Sequence, residues 1–261
     1  MGRTVALIPA RFQSSRLPGK PLLDIDGRPM IEHVYRRAAA VRSVSAVIVA
    51  TDDERIASAV RAFGGDARLT RADHYSATDR LAEVAERLDC ELVVNVQGDE
   101  PLIDPQAIDA AITPFEADPA LEMSTLCRAI DDPAELADPH VVKVVMDRQG
   151  FALYFSRAPI PFDRRTIFRD GPAQAGHHED GRSTVPAFKH LGLYVYRRSV
   201  LLALARLQPT PLEVAESLEQ LRALEHGYRI RVVETTAESI GVDTPEDLER
   251  VRRIVTGVTR V

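Results

Sequence analysis

Short apolar runs alternate with amphipathic stretches in the first part of the chain, and this alternation constrains the fold more than any other feature. Thr4-Val5-Ala6-Leu7-Ile8 is apolar and β-branched and ends at Pro9, the pattern of a buried strand. Pro29 then opens a helix with Met30, Ile31, Val34, Tyr35 and Ala38 on one face and Arg36 and Arg37 opposite. Ala46 to Ala50 reads as the second strand, followed by a helix from Glu54 to Phe63 that Gly64-Gly65 stops. Asp79 to Leu88 repeats the helical pattern and Leu92 to Val96 the strand pattern. This β-α-β-α-β order predicts an α/β fold with a mainly parallel sheet, helices on both faces and a ligand crevice at the carboxyl ends of the strands.

The second half is less regular. Val141 to Asp147 and Phe151 to Arg157 read as a hairpin, and Phe188 to Tyr196 as a further strand. Pro211 to Gly227 reads as one helix with Leu218, Leu221 and Leu224 inward, and Arg229 to Glu234 as a strand. The final helix starts at Pro245, with Thr244 as N-cap and Asp247 closing a capping box. Arg164 to Pro186 has no periodicity and reads as a long surface loop, its His177-His178-Glu179-Asp180 included. No repeat or linker divides the 261 residues, so one domain with an excursion is expected.

Charge and cysteine content narrow the function classes. A net charge of −6 argues against general affinity for nucleic acid or anionic membrane, while leaving room for a local basic loop. The only cysteines, Cys90 and Cys127, form no metal-ligand spacing and read as small buried hydrophobes. Met1 to Ile8 leads too quickly into a polar loop for a signal peptide, and no run reaches membrane-span length, so the cytoplasm is the expected compartment.

Four segments carry chemistry. Pro9 to Pro21 places Arg11, Arg16 and Lys20 in one turn-rich loop after the first strand; it is neither a P-loop nor GxGxxG. Two readings stand for it, a phosphate-binding loop or a solvated loop whose cations pair with nearby carboxylates. Gln97-Gly98-Asp99-Glu100-Pro101, at a strand end, suits a hard-cation site or a turn with a capping Asp; Asp104 already serves as cap for the next helix, which leaves Asp99 without a structural task, and Asp243 is likewise not needed as a cap. Thr70 to Arg80 holds side chains able to read a base or ribose, or, more plainly, Thr78 or Asp79 caps a helix and His74 is a surface residue. Arg157 ends an apolar run and needs a partner there.

Taken together, these segments resemble the 3-deoxy-manno-octulosonate cytidylyltransferases (CMP-Kdo synthetases). The resemblance rests on Ile8-Pro9-Ala10-Arg11, Arg16 to Leu22, Thr70 to His74, Asn95 to Pro101, Val142 to Val145, Ala152 to Arg157, His190-Leu191-Gly192, Leu218 to Arg222 and Gly241 to Leu248, in order along nearly the whole chain. It implies a Rossmann-like, GT-A-like nucleotidyltransferase fold with a mostly parallel central sheet and a smaller hairpin or arm. It also implies one domain over 1–261, with about 1–145 serving the nucleotide and about 146–240 the acceptor and a homodimer contact. CTP is then expected on Pro9, Ala10, Arg11, Arg16, Lys20, Arg71, Ser76, Thr78 and Gln97. The acceptor, Kdo, is expected on Gln97, Arg157, His190, Tyr194, Glu219 and Gln220, and Mg²⁺ on Asp99 and Asp243. Arg16, Lys20, Asp99 and Asp243 would carry catalysis, and CMP-Kdo for lipopolysaccharide would be the product. The chain departs from the commonest family form at Ala77, where Gly is usual, and at Asp79, where Glu is frequent.

Overall fold

A computed structural model describes residues 2–13, 17–163, 186–238 and 240–257. Arg16 and the His177-His178 segment lie outside the described residues. Strand β1 (Thr4–Ala10) shows why the N-terminal half folds as it does. Its side chains alternate, and both faces are apolar: Ala6 and Ile8 pack with Ile31, Val34, Ile56 and Ile108, while Val5 and Leu7 pack with Leu81, Val84 and Leu201. Each such fully buried side chain contributes roughly 1.5–3 kcal/mol. The helices Met30–Ala39, Glu54–Ala62 and Pro105–Ile112 therefore cover one face, and Ala77–Ala85, Arg198–Leu204 and Gln220–Glu225 the other.

The remaining strands are β2 (Asp24–Ile25), β3 (Arg28–Pro29), β4 (Ala46–Thr51), β5 (Asp66–Leu69), β6 (Leu92–Asn95), β7 (Met123–Ala129), β8 (Lys143–Met146), β9 (Ala152–Ser156), β10 (Phe188–Arg197) and β11 (Ile230–Glu234). The main sheet runs β11-β7-β10-β6-β1-β4-β5, with β8 and β9 joined at the β10 side; β2 and β3 form a separate pair. The joins β11–β7, β6–β1, β1–β4 and β4–β5 are parallel, so the expected mostly parallel sheet is present. Strand β10 breaks the pattern: it is antiparallel to both β6 and β7, and its register shifts between Leu191 and Tyr194. The expected hairpin is β8–β9. A third core, made of Ile25, Met30, Val242, Leu248 and Val251, docks the final helix Pro245–Val255 on the β2–β3 pair.

Several sequence-based expectations need correction. Pro211 to Gly227 is two helices, Pro211–Glu216 and Gln220–Glu225, because Ser217 adopts a left-handed conformation with φ 53°. The third helix is Ala77–Ala85, starting two residues early, because the Ser76 hydroxyl accepts the Asp79 N–H and Asp79 returns the bond in a capping box. Cys127 is buried, and burial pushes its thiol up to about 12, whereas Cys90 is only partly buried.

Candidate active site

The chains leaving β1 and β6 meet at the open end of the sheet. After β1, the loop closes where the Gly19 N–H donates to the Phe12 carbonyl at 2.9 Å. Gly19 has φ 70°, a conformation that favours glycine. The Arg55 guanidinium lies 3.3 Å from the centre of the Phe12 ring, and Asp53 anchors that arginine. Lys20 follows at the start of a short 3₁₀ turn. After β6, Gly98 runs so close to β1 that a Cβ there would stand 2.7 Å from the Pro9 carbonyl oxygen. The Asp99 carbonyl accepts the Val242 N–H at 2.9 Å, and this draws the distant residue Asp243 alongside.

The outcome is one cluster. Lys20 Nζ lies 2.7 Å from Asp99 Oδ2 and 3.1 Å from Asp243 Oδ1. Burial alone would lower the lysine's pKa, but the charges and hydrogen bonds of Asp99 and Asp243 outweigh it and raise the pKa above the usual value. The ammonium therefore stays charged at neutral pH. Among the described residues no group of three or more His, Cys, Asp or Glu side chains converges on a point. Two carboxylates that already share a cation are, however, a donor set suited to Mg²⁺, which takes one or two carboxylates and fills its remaining positions with water and phosphate.

The 70–80 block stands on this crevice's flank and is more rigid than a surface loop. His74 is buried, not exposed, with Nε2 2.5 Å from Glu83 Oε2, and the same oxygen accepts the Arg71 N–H at 3.1 Å. Arg11 donates to the His74 carbonyl at 2.9 Å. Arg80 is fully buried and donates to Asp52 Oδ2 at 3.1 Å and to Thr70 Oγ1 at 2.5 Å. Arg71 is exposed, 3.4 Å from Asp73. The Ser76 hydroxyl is engaged as the helix cap.

Beside the cluster lies a cavity of about 330 Å³, walled by Thr78, Asn95, Gln97, His190, Tyr194, Tyr196, Glu219, Gln220 and Arg222 among others. Gln97 Nε2 donates to the Gly192 carbonyl at 3.1 Å and so belongs to both the cluster's segment and the cavity wall. His190 Nε2 lies 2.9 Å from Thr125 Oγ1, with its ring against Phe155 and Tyr194. The Tyr194 hydroxyl is buried and has no hydrogen-bond partner among the described residues, and burial raises its pKa well above the ordinary phenol value. The structure brings Gln97, His190, Tyr194, Glu219 and Gln220 together as expected. It does not bring Arg157 into the cavity wall: Arg157 Nε donates to the Glu216 carbonyl at 2.7 Å and Nη1 to the Pro139 carbonyl at 3.1 Å. Backbone carbonyls supply the partner that the sequence left open. Asn95, Tyr196 and Arg222 were not anticipated; only Asn95, a lone amide ending the apolar run Leu92-Val93-Val94, left a signal.

His190 makes a prediction. It lies in the cavity wall and is only partly exposed, and burial pushes its imidazole from 6.5 down to about 3. The folded state therefore holds a neutral ring while the unfolded chain takes up a proton below the ordinary value. Stability should fall as the pH drops from about 6.5 toward 3. Denaturant midpoints at pH 7.5 and 5 should show a shallower loss in His190→Asn than in the parent; equal losses would remove His190 as a cause.

A charged crevice at the carboxyl ends of a mostly parallel sheet, next to a polar cavity, suits a nucleotidyltransferase, and the family described as Cytidylyltransferase matches residues 5–232 and gives that class. A 3-deoxy-manno-octulosonate cytidylyltransferase of Geobacter metallireducens is 57% identical over 249 residues, covering 95% of this chain and 96% of the relative. One of Solibacter usitatus is 54% identical, covering 97% and 94%. A solved structure of a CMP:2-keto-3-deoxy-manno-octonic acid synthetase complexed with CTP matches with a TM-score of 0.88 at 47% identity, over 98% of this chain and 100% of that one. The chain belongs to the 3-deoxy-manno-octulosonate cytidylyltransferase family. Among the described residues no helix is long and apolar enough to cross a membrane.

Proposed function

We propose that this protein transfers CMP from CTP to the anomeric hydroxyl of 3-deoxy-D-manno-octulosonate, giving CMP-Kdo, a lipopolysaccharide precursor, and pyrophosphate. The observation that carries the reading is the Lys20–Asp99–Asp243 cluster, joined through the Gln97 segment to a cavity with an open tyrosine hydroxyl. CTP lies along the loop after β1, its phosphates facing Lys20, Arg11 and Arg16, with Pro9 and Ala10 beneath and the cytidine toward Arg71, Ser76 and Gln97. Asp99 and Asp243 would hold Mg²⁺, which would supply neutralisation of phosphate charge and make the acceptor hydroxyl more acidic. Lys20 draws charge from the phosphates as the acceptor oxygen bonds to the α-phosphorus and the bond to the β-phosphate oxygen breaks; the hydroxyl proton passes to solvent. His190 stays neutral at physiological pH and orients the acceptor rather than taking its proton. The Tyr194 hydroxyl, Gln97, Glu219 and Gln220 meet the sugar's hydroxyls, while Arg157, held by the Glu216 and Pro139 carbonyls, braces the segment beyond the cavity wall. The chain works as one domain, residues up to about 145 serving CTP and about 146–240 the acceptor. Leu153, exposed on the hairpin, supports a homodimer contact there, and the cytoplasm is the compartment where CTP is made available to such an enzyme.

Pyrophosphate release from purified protein should require CTP and Kdo together and should be absent with UTP. Turnover with a sialic acid but not Kdo would overturn the acceptor, and no CTP-dependent release with any sugar acid would overturn the reaction.

A further inference from the structure

We infer that Thr78 is a positioning residue for the acceptor, holding the Glu219 carboxylate at the cavity wall, and is not a nucleotide contact. Thr78 is buried in the first turn of the helix Ala77–Ala85. Its hydroxyl donates to Glu219 Oε2 at 2.5 Å, and its backbone N–H donates to the same oxygen at 3.3 Å. The carboxylate therefore rests on the positive end of a helix as well as on a hydroxyl, two effects that both favour a fixed anion. Among the described residues these are the two hydrogen bonds the Glu219 side chain accepts, so its Oε1 is left for a sugar hydroxyl.

The need for such a fixture follows from where Glu219 sits. It lies between the left-handed Ser217 and the helix Gln220–Glu225, at a cap position whose side chain makes no cap hydrogen bond. A glutamate there has three side-chain torsions and no cap hydrogen bond to fix them, and a cavity-facing acceptor for hydroxyls is of use only if it is held. Thr78 reaches it across 141 residues of sequence. Thr78 lines the same cavity as Asn95 and Tyr196. Its one hydroxyl proton is committed to Glu219, which leaves none to donate to a base or ribose.

The inference rests on the proposed acceptor role of Glu219. Steady-state kinetics with CTP and Kdo test it on Thr78→Val, Thr78→Ala, Thr78→Ser, Glu219→Ala and the Thr78→Val/Glu219→Ala double variant, with CTP affinity measured separately by calorimetry. Thr78→Val removes the donor at constant shape and should raise the KM for Kdo about tenfold, with the KM and Kd for CTP within about twofold of the parent. Thr78→Ala should do the same, and Thr78→Ser should restore the KM for Kdo to within about threefold. The double variant should be no worse than Glu219→Ala alone, because the threonine acts only through the glutamate. A Thr78→Val or Thr78→Ala enzyme that loses CTP affinity and keeps the parental KM for Kdo overturns the inference. So does one with both constants unchanged while Glu219→Ala is impaired. If Glu219→Ala itself keeps the parental KM for Kdo, the acceptor reading of the cavity falls, and the inference with it.

Discussion

An Asp99→Asn enzyme should lose CMP transfer by about three orders of magnitude or more while unfolding at nearly the parental temperature. The amide keeps the shape of the side chain and removes its charge. Lys20 then retains one carboxylate partner, Asp243 at 3.1 Å, in place of two. The Asp99 backbone, which fixes Val242 through its carbonyl, is untouched, so the crevice keeps its form. The Asp99 side chain is one-third exposed, and its pairing with Lys20 is a minor source of stability at the surface. Pyrophosphate release and a thermal melt on the same preparation check both halves of the expectation. Near-parental turnover would remove Asp99 from the machinery.

Glu213→Ala should have the opposite signature, a loss of about 3–5 kcal/mol in stability. Glu213 and Arg222 form a forked pair, Nε to Oε2 at 2.8 Å and Nη2 to Oε1 at 2.5 Å, with side chains 5% and 4% exposed. Glu213 Oε2 also accepts the Thr210 N–H at the start of its own helix. Truncating the glutamate strands a guanidinium whose next nearest carboxylate, Asp79, is 3.9 Å away, and leaves that helix without its cap. The cost arises from the unpaired charge and not from the pair's intrinsic worth, so Glu213→Leu combined with Arg222→Met should recover most of the loss. Urea denaturation measures it, and a drop below about 1 kcal/mol in Glu213→Ala would show that the arginine finds water or another partner.

The parallel half of the sheet was legible because the strands are apolar on both faces. Val5 and Leu7 need one layer of helices and Ala6 and Ile8 another, and no other arrangement buries them all. The helix caps Asp104 and Thr244 were legible for a similarly local reason. What failed to show was non-local or concealed by a regular pattern. Leu218, Leu221 and Leu224 all lie beyond the break at Ser217, so their helical spacing carries no sign of it. Arg80, Lys143 and Arg222 are buried although nothing local in the sequence marks them so; Arg80 reaches Asp52 and Thr70, and Lys143 Nζ donates to the Asp138, Val141 and Arg157 carbonyls. The site itself divides the same way. Asp99 and Asp243 were visible as residues without a structural duty and Lys20 as a cation of a loop open to two readings, but their meeting spans 79 and 223 residues and no local pattern encodes it.

Strand β10 sets the order in which the molecule can be completed. It fills the place between β6, which ends at Asn95, and β7, which ends at Ala129, yet it is not synthesised until residues 188–197. A chain emerging from the ribosome can pair β6, β1, β4 and β5 early, but it then carries β6 as a bare edge, and β7 has no neighbour through which to join. His190, Gly192, Tyr194 and Tyr196 all ride on the late strand. The polar cavity beside Lys20, Asp99 and Asp243 is thus built in the same event that unites the sheet, and a nascent chain gains that cavity only when its central gap closes.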